Sequence, residues 1–158
     1  MRDQIILSDS SCLISLINLN QLDLLQQLYK EVLITTKIVE EVGTDLPDWI
    51  RTTDTYSLAE YEGLRSQLDP GEASAIALAL SLGLDRVKLI IDEQRGRRIA
   101  RGMNIQITGT LGVITSAQQR GIITNGKELV LSLFNSNFRM SEALKNEVLN
   151  TLDKMNPE

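Results

Sequence analysis

Four carboxylates in this sequence stand at the ends of apolar runs or early in helix-forming segments, where a fold can bring distant residues together. Asp9 follows Gln4–Leu7 and Ser8, Asp92 follows Val87–Ile91, Glu41 lies within Ile38–Val42, and Glu72 comes three residues after Asp69. The chain contains no histidine, which removes Ser-His-Asp triads, histidine-ligated zinc and histidine general bases. Cys12, the lone cysteine, sits among apolar neighbours and reads as a small core residue rather than a nucleophile. Carboxylates are then the residues left to do chemistry. Four of them meeting at one place repel unless a cation neutralises them, and oxygen-only donors suit a hard divalent ion, Mg²⁺ or Mn²⁺. Each also has a plainer role open to it: Asp9 as a helix cap, Glu72 as the far half of a capping box with Asp69, Glu40 and Glu93 as surface charge.

The elements that would position these acids follow from the apolar pattern. Asp69 is a good N-cap, Pro70 fits the first helical position, and Ala73, Ile76, Ala77 and Leu80 recur at helical spacing before Gly83. This predicts a helix with one side thin enough to lie close on a sheet. Val87–Ile91 is apolar apart from Lys88, the pattern of a strand covered on both faces. Gln4–Leu7, Val32–Ile34 and Ile105–Ile107 read as further strands. Helices are expected over Cys12–Leu19, Gln21–Tyr29, the Thr35 or Thr36 to Gly43 segment, Leu58–Leu68, Leu111–Arg120, Lys127–Phe134 and Ser141–Met155. Ala143, Leu144, Val148, Leu149 and Leu152 mark an apolar side on the last of these. Between them, Pro47, Trp49 and Ile50 suggest a packed turn or short helix, and Arg51–Tyr56 an extended segment.

Strands alternating with helices predict an α/β fold, a parallel sheet with helices on both faces. Ligands bind such sheets at the carboxyl ends of the strands. Asp9, Asp92 and Glu41 can all reach that edge, and Glu72 joins them if its helix starts there. Adjacent residues leaving an extended segment point to opposite sides, so Glu93 is expected to face away from an ion that Asp92 faces.

The chain of 158 residues suits one domain, with its core over about residues 4–138 and an amphipathic helix at 141–155. No window approaches the roughly 20 apolar residues of a membrane span. The opening MRDQIILSD is too short and too early acidic for a signal peptide, so a cytoplasmic protein with no membrane contact is expected. A net charge of −5 argues against a basic surface overall, yet Arg86, Lys88, Arg95, Arg97, Arg98 and Arg101 cluster around Asp92. That clustering places positive charge beside an acidic site, or is simply a solvated helix face. SDSS after the first strand lacks the glycines of a dinucleotide-binding turn. A receiver-type phosphoacceptor fares no better, since Asp9 stands alone among serines and Thr108-Gly109-Thr110 has no lysine.

SDSSCLISL with the leucine-rich segment after it, the Val-Glu-Glu-Val helix, DPGEASAIALAL, LIIDEQRGRRIA and ITGTLGVI together resemble the PIN-domain family. Within it they are most similar to a prokaryotic subgroup related to VapC-type toxins, over about Ile5 to Phe138. The resemblance implies a three-layer α/β/α sandwich and a metal-dependent ribonuclease. It implies Asp9, Glu41, Glu72 and Asp92 as catalytic acids and metal ligands, with Glu93 as a further acid. Glu40 competes with Glu41, and the family's habit of a hydrophobe after the ligand favours Glu41. Glu72 departs from the aspartate usual in VapC-type members. Ser10, Ser11 and Thr110 are candidates for a water ligand or phosphate oxygen, and Arg95, Arg97 and Arg98 for the RNA backbone. RNA as substrate, an antitoxin partner and a homodimer are what the resemblance implies about company. A PIN fold serving only as a nucleic-acid- or protein-binding module is the alternative.

Overall fold

The computed structural model describes residues 4–136 and 141–155. Five strands, β1 (Ile5–Ser8), β2 (Val32–Ile34), β3 (Ile50–Thr52), β4 (Val87–Ile90) and β5 (Gln106–Thr108), form one sheet in the order β3-β2-β1-β4-β5. Every pairing is parallel. The central strands are nearly continuous apolar runs because both faces are covered: Ile6, Leu7, Val87, Leu89 and Ile90 are all buried.

Register then decides what lies at the carboxyl edge. Ser8 is opposite Ile90, and Ile90 is opposite Thr108. The residues that leave the sheet side by side are therefore Asp9, Ile91-Asp92 and Gly109-Thr110. Leu7 opposite Leu33 brings Thr35 to the same edge. From β1 the chain proceeds to β2 on one side, whereas from β4 it proceeds to β5 on the other. The topological switch point, where such sheets open a crevice, thus falls between β1 and β4.

The helices are α1 (Ser10–Asn18), α2 (Asp23–Tyr29), α3 (Thr36–Val42), α4 (Leu58–Leu64), α5 (Pro70–Leu82), α6 (Gln94–Gly102), α7 (Thr110–Gln119), α8 (Gly126–Asn135) and α9 (Glu142–Met155). On one side α5 lies on β1 and β4 with α3 and α4 against it; on the other, α2 and α7 pack together over β2 and β5, and α8 and α9 pack on α7. Side-chain caps start the helices that carry the acids: Asp9 accepts from the Cys12 amide, Thr35 from Ile38, and Asp69 from Glu72.

Two expectations are corrected, and a third element is only partly covered. Ile50 opens an edge strand rather than ending a turn or helix, because its register against Val32 continues the sheet. Helix α5 has no single buried side: Ala73 to Ala79 are all buried, since the sheet, α3 and α4 enclose it and alanine allows close approach from every direction. Helix α9 covers its apolar side incompletely, burying Leu152 but leaving Leu144 44% exposed. Phe138, the expected limit of the core, lies outside the described residues.

Candidate active site

Asp9 is buried at the carboxyl end of the central strand, 3% exposed. Its Oδ1 accepts from the Cys12 amide at 2.9 Å, and its Oδ2 accepts from the Asp92 amide at 2.9 Å. The Asp9 amide in turn donates to the Ile90 carbonyl. The Asp9 side chain and its own amide thus both tie the switch-point strands together, through the Asp92 amide and the Ile90 carbonyl. Burial, with the Asp92 carboxylate second, pushes the Asp9 carboxyl up to about 8, against the opposing pull of the two amides.

Asp92 is fixed from the start of α7, just past β5. Its Oδ1 accepts from the Thr110 amide at 2.8 Å and its Oδ2 from the Thr110 hydroxyl at 2.5 Å. Gly109 permits this approach, for a Cβ there would lie 2.8 Å from Asp92 Oδ1 and 2.9 Å from Arg97 Nη1. Arg97 donates to the Ile91 carbonyl at 2.7 Å, which holds its guanidinium beside the acidic pair.

Glu72 and Glu41 arrive on helices. Glu72 is half-buried, and burial, followed by Asp69 and Glu93, pushes its carboxyl up to about 7. The backbone amide of Asp69 opposes that shift, so capping and a place in the acidic group coexist. Glu41 accepts from the Ser10 hydroxyl at 2.7 Å through Oε1 and from the Gly71 amide at 3.0 Å through Oε2. A Cβ at Gly71 would collide with that carboxylate. Glu40, on the same helix, is exposed.

With this geometry in hand, the sequence matches the family described as DUF3368: PIN domain, over residues 5–154. The chain belongs to the PIN-domain family. No curated protein and no solved structure matches it. The match continues through α9, past the limit at Phe138 drawn from the sequence motifs. Its three-layer α/β/α architecture is the one expected of a PIN domain, and the fold is of nuclease type.

In this PIN domain a cleft of about 1310 Å³ opens between the starts of α5 and α6 on one side and α1, α7 and α9 on the other, and neither Asp9 nor Glu41 lines it. Glu72, Asp92 and Arg97 line it, and so does Glu93. Glu93 therefore does not face away as expected, because the chain turns into α6 at that residue and carries its carboxylate toward Glu72. Ser11 lines the cleft, whereas the Ser10 hydroxyl is committed to Glu41 and that of Thr110 to Asp92. Arg95 is exposed and reaches back to the Gln67 carbonyl at 3.3 Å, and Arg98 is exposed on the same helix. Among the described residues no three acidic side chains converge into a ready-made ion site; Asp9 and Asp92 are joined, Glu72 lines the cleft from the start of α5, and Glu41 is turned to Ser10 and Gly71.

The donor set still fits a hard divalent ion. It is all oxygen, and each carboxylate oxygen of Asp9 and Asp92 accepts a single hydrogen bond from the protein, leaving lone pairs for a metal. Sequence reasoning missed the buried Thr35 and Ser74, joined at 2.7 Å, and the contribution of α9 to the cleft wall. A serine inside an alanine run was the available signal for the first. Nothing local marked the second.

Proposed function

We propose that this PIN domain is a Mg²⁺- or Mn²⁺-dependent endoribonuclease in which Asp9, Glu41, Glu72 and Asp92 hold the ion or ions, with Glu93 available beside Glu72. The observation that carries this reading is the buried Asp9 carboxylate set against Asp92 at the switch point, with neither acid in an ion pair among the described residues. Such a pair calls for a counter-charge. When bound, the metal supplies an activated water for in-line attack on a phosphodiester and stabilises the leaving oxygen.

The chain's own part is orientation. Amides of Cys12, Asp92 and Thr110 fix the strand-end carboxylates, and Arg97, anchored on Ile91, offers a cation beside them to a phosphate. Ser11 borders the cleft, and Arg95 and Arg98 lie exposed along α6 to follow an RNA backbone. An open cleft reaches an extended strand more readily than a duplex, so single-stranded or looped RNA is the proposed substrate. The resemblance to VapC-type proteins extends the proposal to a cytoplasmic toxin held by an antitoxin and acting as a homodimer. No described helix is long and apolar enough to cross a membrane.

The test is to incubate purified protein with mixed single-stranded RNAs, with Mn²⁺ or with a chelator, beside Asp92→Asn. Metal-dependent cleavage lost in the variant is the expected result. One observation favours a second reading, a binding module without activity: Glu41 is engaged by Ser10 and Gly71 rather than directed at Asp9 and Asp92. RNA retention without cleavage at any metal concentration would establish that reading instead.

A further inference from the structure

Thr35 and Ser74 are both fully buried, 0% exposed, and their hydroxyls meet at 2.7 Å. Donor and acceptor counting fixes the direction of this contact. The Ser74 hydroxyl donates to the Gly71 carbonyl at 2.8 Å, so it accepts from Thr35, whose own oxygen accepts from the Ile38 amide at 3.3 Å. The chain continues: the Gly71 amide donates to Glu41, which also accepts from Ser10. Thr35 begins α3 and Glu41 lies near its end, so the bonds leave α3, cross to the first turn of α5 and return. Glu72 is in that first turn.

We propose that the Thr35–Ser74 hydroxyl pair is a positioning device, locking the start of α5 onto α3 so that Glu72, which lines the cleft, and Glu41, bound to the Gly71 amide, keep a set separation. This rests on the metal-dependent reading above. It accounts for a serine inside an otherwise apolar, enclosed helix, where its side chain competes for the Gly71 carbonyl with the helix's own amide ladder. An alanine there would pack as well as its neighbours and leave the Thr35 hydroxyl without an acceptor.

The test uses the full chain, ¹⁵N-labelled, with two readouts: the Gly71 amide resonance in the metal-free protein and Mn²⁺ affinity by paramagnetic resonance. Ser74→Ala and Thr35→Val should each move the Gly71 amide and weaken Mn²⁺ binding about tenfold, as outer-shell partners of metal ligands do. The double variant should be no weaker than either single, because both break the same chain. Thr35→Ser, which keeps the hydroxyl, should behave as wild type, and Val130→Ala should lose stability in α8 without losing Mn²⁺. If Ser74→Ala does not fold, Thr35→Val carries the test; if neither folds, the pair is a stability element and the proposal is overturned. Wild-type Mn²⁺ affinity and an unmoved Gly71 amide in both variants overturn it too, with the ribonuclease reading intact. A wild-type protein that binds no Mn²⁺ overturns both.

Discussion

The two halves of the acidic group are held by different means. Asp9 and Asp92 stand at the ends of adjacent parallel strands, and backbone amides of Cys12, Asp92 and Thr110 fill three of their four carboxylate bonds. Glu41 and Glu72 come from helices, and Glu41 is held by a serine hydroxyl and the amide at the start of another helix. The strand-end pair inherits its geometry from the sheet ladder, which cannot slip without dismantling the core. The helical pair inherits its geometry from how α3 and α5 dock, which side chains can retune.

The sharpest way to break this comparison is to neutralise each half. Asp92→Asn should cut RNA cleavage about 10²-fold or more while the fold survives, because the amide can still accept from the Thr110 N–H and donate to its hydroxyl oxygen. Asp9→Asn should lose as much activity but also about 1–3 kcal/mol of stability, since both Asp9 oxygens accept amide protons and one acceptor is lost. Combining the two should add little. Wild-type cleavage by either single variant would move the activity elsewhere.

In the helical half, Glu72→Gln should remove most cleavage and raise the melting temperature of the metal-free protein, because the charge crowded against Asp69 and Glu93 disappears while Asp69 still caps the Glu72 backbone amide. Unchanged cleavage would leave Glu72 with a capping role only.

A third measurement reads the strand-end pair without substrate. Folding raises the Asp9 carboxyl from 3.8 to about 8, so between those values the native state holds a proton that the unfolded chain has released. The metal-free protein should therefore lose stability as pH rises from about 4 to about 8 and level off above. Saturating Mn²⁺ should flatten that slope and raise the melting temperature, by about 2.7 kcal/mol of stabilisation at a hundredfold excess over Kd. A flat metal-free profile would mean that neither burial nor the Asp92 carboxylate raises the Asp9 carboxyl. The smallest effect is expected of Glu93→Gln, exposed at the start of α6: stability within about 0.5 kcal/mol of wild type, and a smaller activity loss than Glu72→Gln in the same cleavage assay.

What could be read without coordinates was whatever short-range pattern controls. An apolar β-rich run broken by an acid placed Asp9 and Asp92 at strand ends, and Asp69-Pro70 announced α5. The edge strand β3 was read only as an extended segment from Arg51, its first residue Ile50 assigned to the turn before it, because only Ile50 of its three residues is buried. The enclosure of α5 escaped because alanine is silent about which side it packs. The expected outward direction of Glu93 assumed an extended chain, and a helix start intervened. Most of the cleft's second wall, from Ile14 on α1 to Val148 on α9, is brought together by tertiary docking alone, and no spacing records it.

The hydrogen bond between the Asp92 amide and Asp9 closes a span of 83 residues. On the ribosome β1 emerges well before its β4 neighbour and the Thr110 that holds Asp92. Long-range parallel pairing of this kind is also intrinsically slow to form. A nascent chain that stops short of Thr110 lacks both hydrogen bonds that fix the Asp92 carboxylate. On the proposed activity, a chain shorter than this lacks part of what holds its strand-end acids in place.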